Sequence, residues 1–119
     1  MISTIQLNQI EIYAYHGCYA EEQIVGNNFI VDVTINVDTT VAAKTDNIAD
    51  ALNYVEVYEI VKEEMAIKSH LLENVVARIC QHLRSRFGNN GLVDGTVRVA
   101  KLAPPIGGQM KSVSLQMNI

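Results

Sequence analysis

The sequence predicts an α+β fold, in which an antiparallel β-sheet carries two α-helices on one face. In residues 29–38 every second side chain is apolar and, apart from Ile30, the side chains between them are polar, as in a strand with one buried face. Between residues 53 and 87 the apolar residues recur every three or four positions, which is the period of amphipathic helices. Alternation returns after residue 93. The predicted order of elements is therefore ββααββ.

The first strand is predicted to run from Ile5 towards Tyr15, and the second occupies residues 29–38. The segment between them, residues 16–28, is too long for a tight hairpin and carries glycines near both ends. It is predicted to be a loop with a function or a wide connection. Residues 46–52 are predicted to form a short helical or turn segment before the first long helix.

Asn53, with Glu56 three residues later, resembles a capping box that opens a helix through about Met65. Ser69 is predicted to cap the second helix, and Gly88 is placed to end it. The apolar stripe of the second helix consists of Leu72, Val75, Val76, Ile79, Leu83 and Phe87. Two more strands, near residues 93–101 and 112–119, complete the sheet.

The third strand ends in a cation. Lys101 continues the apolar row of Val97 and Val99, and the prolines and glycines of residues 104–108 then force a stiff turn. Such a turn can hold the lysine ammonium in a defined place. An isolated lysine at a strand end more often only extends to water, so the strand pattern alone leaves both interpretations open.

Composition limits the class of protein. With 119 residues, of which 49% are hydrophobic, the chain is expected to form a single domain over residues 1–119. A net charge of -4 argues against nucleic acid or an anionic membrane as a partner and favours a small molecule or a protein. No apolar run has the length of a membrane span and the start carries no basic signal segment, so a cytoplasmic location is expected. Cys18 and Cys80 are expected to be reduced thiols.

The second strand also predicts assembly of several chains. One of its faces carries the polar side chains of Asp32, Thr34, Asn36 and Asp38, which suits a wet surface or the lumen of an oligomeric barrel. A sheet of few strands leaves two open edges as well. Edge-to-edge association of identical chains would cover them.

Four separated motifs stand along the chain: residues 15–22 with Gly26 and Phe29, then Asn53-Tyr54, His70-Leu-Leu-Glu73, and Lys101 with Pro104-Pro105-Ile-Gly107. In order and spacing they resemble the dihydroneopterin aldolase family of folate biosynthesis, over nearly the whole chain. The resemblance implies a tunnelling fold, in which ββααββ subunits join edge to edge into tetrameric rings around a barrel and two rings stack into an octamer.

The resemblance also implies a reaction, the retro-aldol cleavage of 7,8-dihydroneopterin into 6-hydroxymethyl-7,8-dihydropterin and glycolaldehyde, with some 2′-epimerase activity. The C6–N5 imine of the substrate can accept the electrons of the breaking bond, so the chemistry requires no cofactor, metal or Schiff base. Lys101 then becomes a general acid and base, and Glu22 corresponds to its acidic partner. A lysine works best in this role where the neutral amine is favoured, whereas Glu22 favours the ammonium.

The remaining site residues follow from the same resemblance. Glu73 would accept the paired N–H donors of the pterin ring, and the backbone at Leu72 would contact the ring beside it. Tyr54 would come from an adjacent subunit, with the backbone of Leu52 and Asn53. Without the resemblance, Glu73 and Tyr54 could be ordinary residues in the first turn of a helix. Glu22 could be an ordinary residue of a solvated loop.

Other functions are compatible with the same residues. The nearest is an epimerase acting on dihydroneopterin or its triphosphate, and another is a non-catalytic pterin-binding ring protein. A lysine Schiff-base aldolase is less favoured. His16 and Cys18 could share one side of an extended segment, but no set of four metal ligands is apparent. No metal site is therefore expected. Val55 stands where the family often has glycine, which bears on substrate preference.

Overall fold

Four antiparallel strands form one sheet in the computed structural model, which describes residues 1–119. They are β1 (Ile2–Ala14), β2 (Asn27–Asp38), β3 (Leu92–Leu102) and β4 (Ser112–Asn118). Their spatial order, β1-β2-β3-β4, follows the order along the chain. Because alternating side chains point to opposite faces, the alternation in the sequence had already indicated which face of each strand is buried. The predicted antiparallel sheet is confirmed.

Helices pack on one face of this sheet. The two long ones, which join β2 to β3, confirm the predicted helix pair. In chain order the helices are α1 (Ala20–Val25), α2 (Thr40–Thr45), α3 (Tyr54–Met65) and α4 (Leu72–Phe87), with a 3-10 turn at Ile48–Asp50 before α3. The 3-10 turn lies inside the predicted turn segment, residues 46–52. None of the helices is both long and apolar enough to cross a membrane.

Two predictions about helix starts need correction. The Asn53 side chain does cap α3, accepting a hydrogen bond from the Val55 N–H at 2.9 Å, but Glu56 pairs with Arg86 at 2.8 Å instead of completing a capping box. The prediction that Ser69 caps α4 is wrong. The N-cap residue of α4 is Leu71, which has extended backbone angles and makes no side-chain cap, so the helix begins later than Ser69 would place it.

The core lies between the helices and the inward face of the sheet. Valine and isoleucine side chains of β2 and β3 are completely buried there, each contributing about 1.5–3 kcal/mol relative to exposure. From the helices the core takes Val57, Ile60, Val61, Met65, Val75, Val76, Ile79, Leu83 and Phe87. Leu72, at the start of the predicted stripe, is only half-buried. The opposite face of β2 carries the polar side chains of Asp32, Thr34, Asn36 and Asp38, as the sequence predicted, and of these only Asp38 is fully exposed.

The sheet register separates two ends of the molecule. At one end Phe29 pairs with Lys101, and at the other Val37 pairs with Leu92. These two pairs lie eight residues apart along β2, which at about 3.3 Å per residue places them roughly 26 Å apart. We call them the Lys101 end and the Leu92 end. The start of α4 lies at the Lys101 end, whereas its last residue, Phe87, lines a cleft at the Leu92 end together with Asp38.

Candidate active site

An ion pair marks the Lys101 end of the sheet. The Nζ atom of Lys101 donates a hydrogen bond to Oε1 of Glu22 at 2.8 Å, although the two residues are far apart in sequence. The side chains are only 12% and 15% exposed, so the pair is largely shielded from water. Lys101 also lies 5.9 Å from the centroid of the Phe29 ring, its neighbour on β2. The strand end predicted to hold a cation therefore holds it against a carboxylate and an aromatic ring.

Glu22 is fixed by the first turn of α1. Its Oε2 atom accepts a hydrogen bond from the Tyr19 backbone N–H at 3.2 Å. Gly17 lies directly against the carboxylate, and a Cβ atom at that position would overlap it. Burial alone raises the pKa of Glu22, but the hydrogen bond and charge of Lys101 and the Tyr19 N–H outweigh it, so the pKa lies below the usual range. The carboxylate is therefore ionised at neutral pH.

The ion pair opens onto a cleft of about 590 Å³. Three segments form it: the loop and helix start that carry Glu22, the segment that leads into α4, and the turn after β3, with one side chain from β4. The lining residues are Cys18, Tyr19, Glu22, His70, Leu71, Leu72, Glu73, Lys101, Pro104, Pro105, Ile106 and Val113. Four residues singled out from the sequence, namely Glu22, Leu72, Glu73 and Lys101, thus line one cavity.

Glu73 lies in the first turn of α4 with its side chain exposed. A carboxylate at this position is favoured by the helix dipole. The helix has no side-chain cap, and the N–H groups of Leu72 and Glu73 make no hydrogen bond within the chain. The site thus presents a carboxylate acceptor and free backbone donors side by side, which suits the edge of a flat, hydrogen-bonding heterocycle.

The other predicted site residues lie elsewhere. Leu52 and Asn53 line a separate cleft of about 630 Å³ at the Leu92 end, shared with Asp38 and Gly91. Tyr54 follows them in sequence at the start of α3, and 62% of its surface is exposed to solvent. A single chain therefore does not bring Tyr54, Leu52 and Asn53 together with Lys101.

The structure adds contacts that the sequence did not indicate. Gln23 donates from Nε2 to the Gly17 carbonyl at 2.9 Å and lies 3.0 Å from Nδ1 of His70. The Cys18 thiol donates to the His70 carbonyl at 3.3 Å. These bonds join the α1 segment to the segment before α4 at the edge of the cleft. Gln23 was not predicted because its partners are distant in sequence, and no local pattern marks such a contact.

His16, in the loop after β1, is buried, with 1% of its surface exposed. Its Nδ1 atom accepts a hydrogen bond from the Ser69 N–H at 3.1 Å, whereas Nε2 has no partner. No group of three or more His, Cys, Asp or Glu side chains is arranged to hold a metal ion. His16 therefore acts as a structural link between two loops at the cleft.

In this α+β fold a lysine–carboxylate pair and a second carboxylate line one cleft, an arrangement typical of enzymes that act on a small molecule by proton transfer. Comparisons with known proteins agree. A family model described as dihydroneopterin aldolase matches residues 5–118. The chain belongs to the dihydroneopterin aldolase family, and its activity is the aldolase reaction of that family, which makes it a lyase.

Individual relatives span almost the whole chain. The dihydroneopterin aldolase of Staphylococcus epidermidis is 36% identical over 118 residues, which cover 98% of this chain and 96% of that protein. The dihydroneopterin aldolase of Bacillus subtilis is 32% identical over 114 residues, covering 95% and 93%. The crystal structure of E. coli dihydroneopterin aldolase in complex with neopterin superposes with a TM-score of 0.88, at 21% identity and 98% coverage of both chains. At that identity the superposition supports the fold.

Proposed function

We propose that the cleft at the Lys101 end binds 7,8-dihydroneopterin and cleaves it to 6-hydroxymethyl-7,8-dihydropterin and glycolaldehyde, with Lys101 and Glu22 transferring protons and Glu73 binding the pterin ring. The observation that carries this proposal is that the Lys101–Glu22 ion pair, 2.8 Å long, lies in the same cleft as Glu73. The reaction needs a proton-transfer group at one end of the substrate and a recognition group at the other. The cleft supplies both.

The chemistry can proceed without a cofactor. A base removes the proton of the 2′-hydroxyl, the C1′–C2′ bond breaks, and C2′ leaves as the aldehyde carbon of glycolaldehyde. The bonding electrons move through C6 onto N5 of the dihydropterin, which takes up a proton. Protonation of C1′ and loss of the N5 proton then restore the imine. Because the substrate is its own electron sink, the protein has only to deliver and remove protons.

Lys101 and Glu22 are suited to that task. The Nζ atom of Lys101 donates a hydrogen bond to the Glu22 carboxylate at 2.8 Å, and a nitrogen held in this way is placed to pass on a proton and not to attack a carbonyl. This pairing supports proton transfer by Lys101, directly or through a water, over a Schiff base. Borohydride added during turnover is accordingly expected to trap no adduct. A borohydride-dependent mass increase on Lys101 would contradict the proposed role.

Glu73 accounts for recognition of the pterin. Its two oxygens can accept the ring N3–H and the exocyclic amino group as a parallel pair, while the free N–H groups at the helix start can donate to the ring. The E. coli relative was crystallised with neopterin, which supports a pterin as the ligand. Lys101 is the only lysine or arginine that lines the cleft. One such cation is too few for a triphosphate, which favours dihydroneopterin over its triphosphate as substrate.

We further propose that a neighbouring subunit completes the site with Tyr54 and with the backbone of Leu52 and Asn53. Tyr54 would cover the ring and assist proton transfer through its hydroxyl. Within one chain these residues lie at the Leu92 end, so a ring of chains would bring the Leu92 end of one subunit to the Lys101 end of the next. The open edges of β1 and β4 and the polar sheet face support a tetrameric ring around a barrel, paired into an octamer.

The test is to incubate the protein with 7,8-dihydroneopterin and follow both products by chromatography. Wild type is expected to release glycolaldehyde and hydroxymethyldihydropterin in equal amounts. Lys101→Met, which keeps an unbranched side chain of similar size but removes the amine, is expected to lose at least about 100-fold in kcat. Lys111→Met is the matched control, because Lys111 is exposed and outside the cleft. Wild-type turnover to the 2′-epimer without glycolaldehyde would contradict the proposal and favour an epimerase.

A further inference from the structure

Arg78, on α4, makes an unusual number of hydrogen bonds for a residue that does not line the cleft. The guanidinium has five N–H donors, and each of them has an acceptor. The acceptors are the Glu64 carbonyl at 2.8 Å, Glu64 Oε1 at 2.9 Å, the Ile67 carbonyl at 2.9 Å, Ser69 Oγ at 2.7 Å and Asn74 Oδ1 at 3.4 Å. The side chain is 22% exposed.

These acceptors belong to three consecutive parts of the chain. Glu64 is in the last turn of α3, Ile67 and Ser69 are in the connection between the helices, and Asn74 is in the first turn of α4. The connection itself has no regular secondary structure, so its path is set by such side-chain bonds. Arg78 therefore fixes the course of the chain just before the residues that line the cleft.

Ser69 extends this constraint to the segment that carries Glu22. Its N–H donates to Nδ1 of His16 at 3.1 Å, and its carbonyl accepts from the Gly17 N–H at 3.0 Å. Gly17 in turn lies against the Glu22 carboxylate. A path of contacts thus runs from the guanidinium of Arg78 through Ser69 and Gly17 to Glu22. Asn74, another acceptor of Arg78, is the chain neighbour of Glu73.

We propose that Arg78 is a positioning residue, which sets Glu73 in register with the Glu22–Lys101 pair. The inference rests on the proposed function, since it concerns the geometry of that same site. The pterin ring is held at Glu73 and the reacting side chain lies at Lys101, so a shift of the α4 start moves the reacting carbon away from the proton donor. A misplacement of about 1 Å can cost about 100-fold in rate.

The test compares Arg78→Lys with Arg84→Lys. Lysine keeps the charge but has three donors and no planar fork, so it cannot bind all the acceptors of Arg78. Arg84 lies on the same helix and also clamps carbonyls, those of Val93 at 3.2 Å and Ile119 at 3.0 Å, but it does not line the cleft. We expect Arg78→Lys to weaken neopterin binding about tenfold and to lower kcat/KM further, with unchanged circular dichroism and assembly size. Arg84→Lys should leave both the Kd for neopterin and kcat/KM near the wild-type values.

A double-mutant cycle identifies the residue through which Arg78 acts. If Arg78 acts mainly by placing Glu73, then Arg78→Lys should change neopterin affinity much less in a Glu73→Gln background than in wild type. Fully additive effects would overturn the inference, and so would an Arg78→Lys enzyme that melts at a lower temperature but keeps its affinity and kcat/KM. Should Arg78→Lys fail to fold, Ser69→Ala, which removes one acceptor of the guanidinium, must weaken affinity or the inference fails.

The outcomes separate this inference from the function on which it rests. If wild type binds neopterin and cleaves dihydroneopterin while Arg78→Lys behaves like Arg84→Lys, only the positioning role is lost. If wild type neither binds nor cleaves these pterins, the proposed function is lost and the positioning role with it.

Discussion

Mild acid should destabilise this fold through His16. The imidazole is 1% exposed, accepts the Ser69 N–H on Nδ1 and packs edge-on against Phe29, with ring centroids 5.2 Å apart. The pKa of His16 is lowered to about 4, chiefly by burial and further by the positive charges of Arg78 and Lys101, while the Met65 backbone acts in the opposite direction. Protonation would also place a donor where Nδ1 now accepts. The folded protein therefore holds His16 neutral.

The sign and size of the effect follow from proton linkage. The unfolded chain binds a proton at His16 below a pKa of 6.5, whereas the folded protein does so only near pH 4. Between these values the unfolded state binds more protons, so the free energy of unfolding falls as the pH falls. From pH 7.5 to pH 5 the loss attributable to His16 is about 2 kcal/mol.

Urea unfolding at a fixed chain concentration measures this loss, with His16→Gln as the reference. Glu22 and Asp38 also have lowered pKa values, and their contribution to stability is likewise lost as the pH falls. These losses occur in both proteins and cancel in the difference between them. The stability advantage of wild type over His16→Gln should therefore shrink by about 2 kcal/mol between pH 7.5 and pH 5. A difference that stays constant over this range would refute the reasoning.

Three further predictions concern the cleft. Gly17→Ala should displace the Glu22 carboxylate, which lies against Gly17, and lower kcat by about tenfold. Gly108→Ala, where a new Cβ meets nothing within 4 Å, is the control and should keep the wild-type kcat. Equal rates for the two variants would contradict this packing. Glu73→Gln should raise the Kd for neopterin, measured by ligand fluorescence, by about 10- to 100-fold. Its effect on kcat, measured from initial rates, should be smaller. An unchanged Kd would exclude Glu73 from ring binding. Iodoacetamide should modify exposed Cys18 and spare Cys80, whose pKa is raised by burial. Bound neopterin should protect Cys18, which lines the cleft, and mass spectrometry that finds Cys18 modified equally with and without neopterin would contradict binding there.

Periodicity accounts for how much of the fold could be predicted. The strands and the two long helices each bury one face, so their apolar residues recur in the sequence with the period of a strand or a helix. The helices α1 and α2 have six residues each and no buried side chain, and they leave no apolar stripe to detect. Ser69 was assigned to the wrong role because a serine before an apolar stripe resembles a helix cap, whereas here it is buried and bonded to Arg78 and Asn74.

The site was predictable only in part from local pattern. The end of an apolar row predicted the position of Lys101 at the end of a strand. Its partner Glu22 lies 79 residues away, and only the family resemblance predicted that the two residues pair. Arg78 was missed because two of its partners are backbone carbonyls, which any residue provides. Tyr54 does not reach the cleft of its own chain, and a pattern within one chain carries no information about the neighbour that it would join.

The most direct test of the account asks whether two chains share one site. Lys101→Met and Tyr54→Ala are each expected to cleave 7,8-dihydroneopterin at a small fraction of the wild-type rate. When the two variants are co-expressed in equal amounts and assemble at random, about a quarter of the sites should combine an intact Lys101 with an intact Tyr54 from the neighbour. Glycolaldehyde release by the mixed assembly should then recover to about a quarter of the wild-type rate. A mixture no more active than the average of the two variants would contradict the shared site.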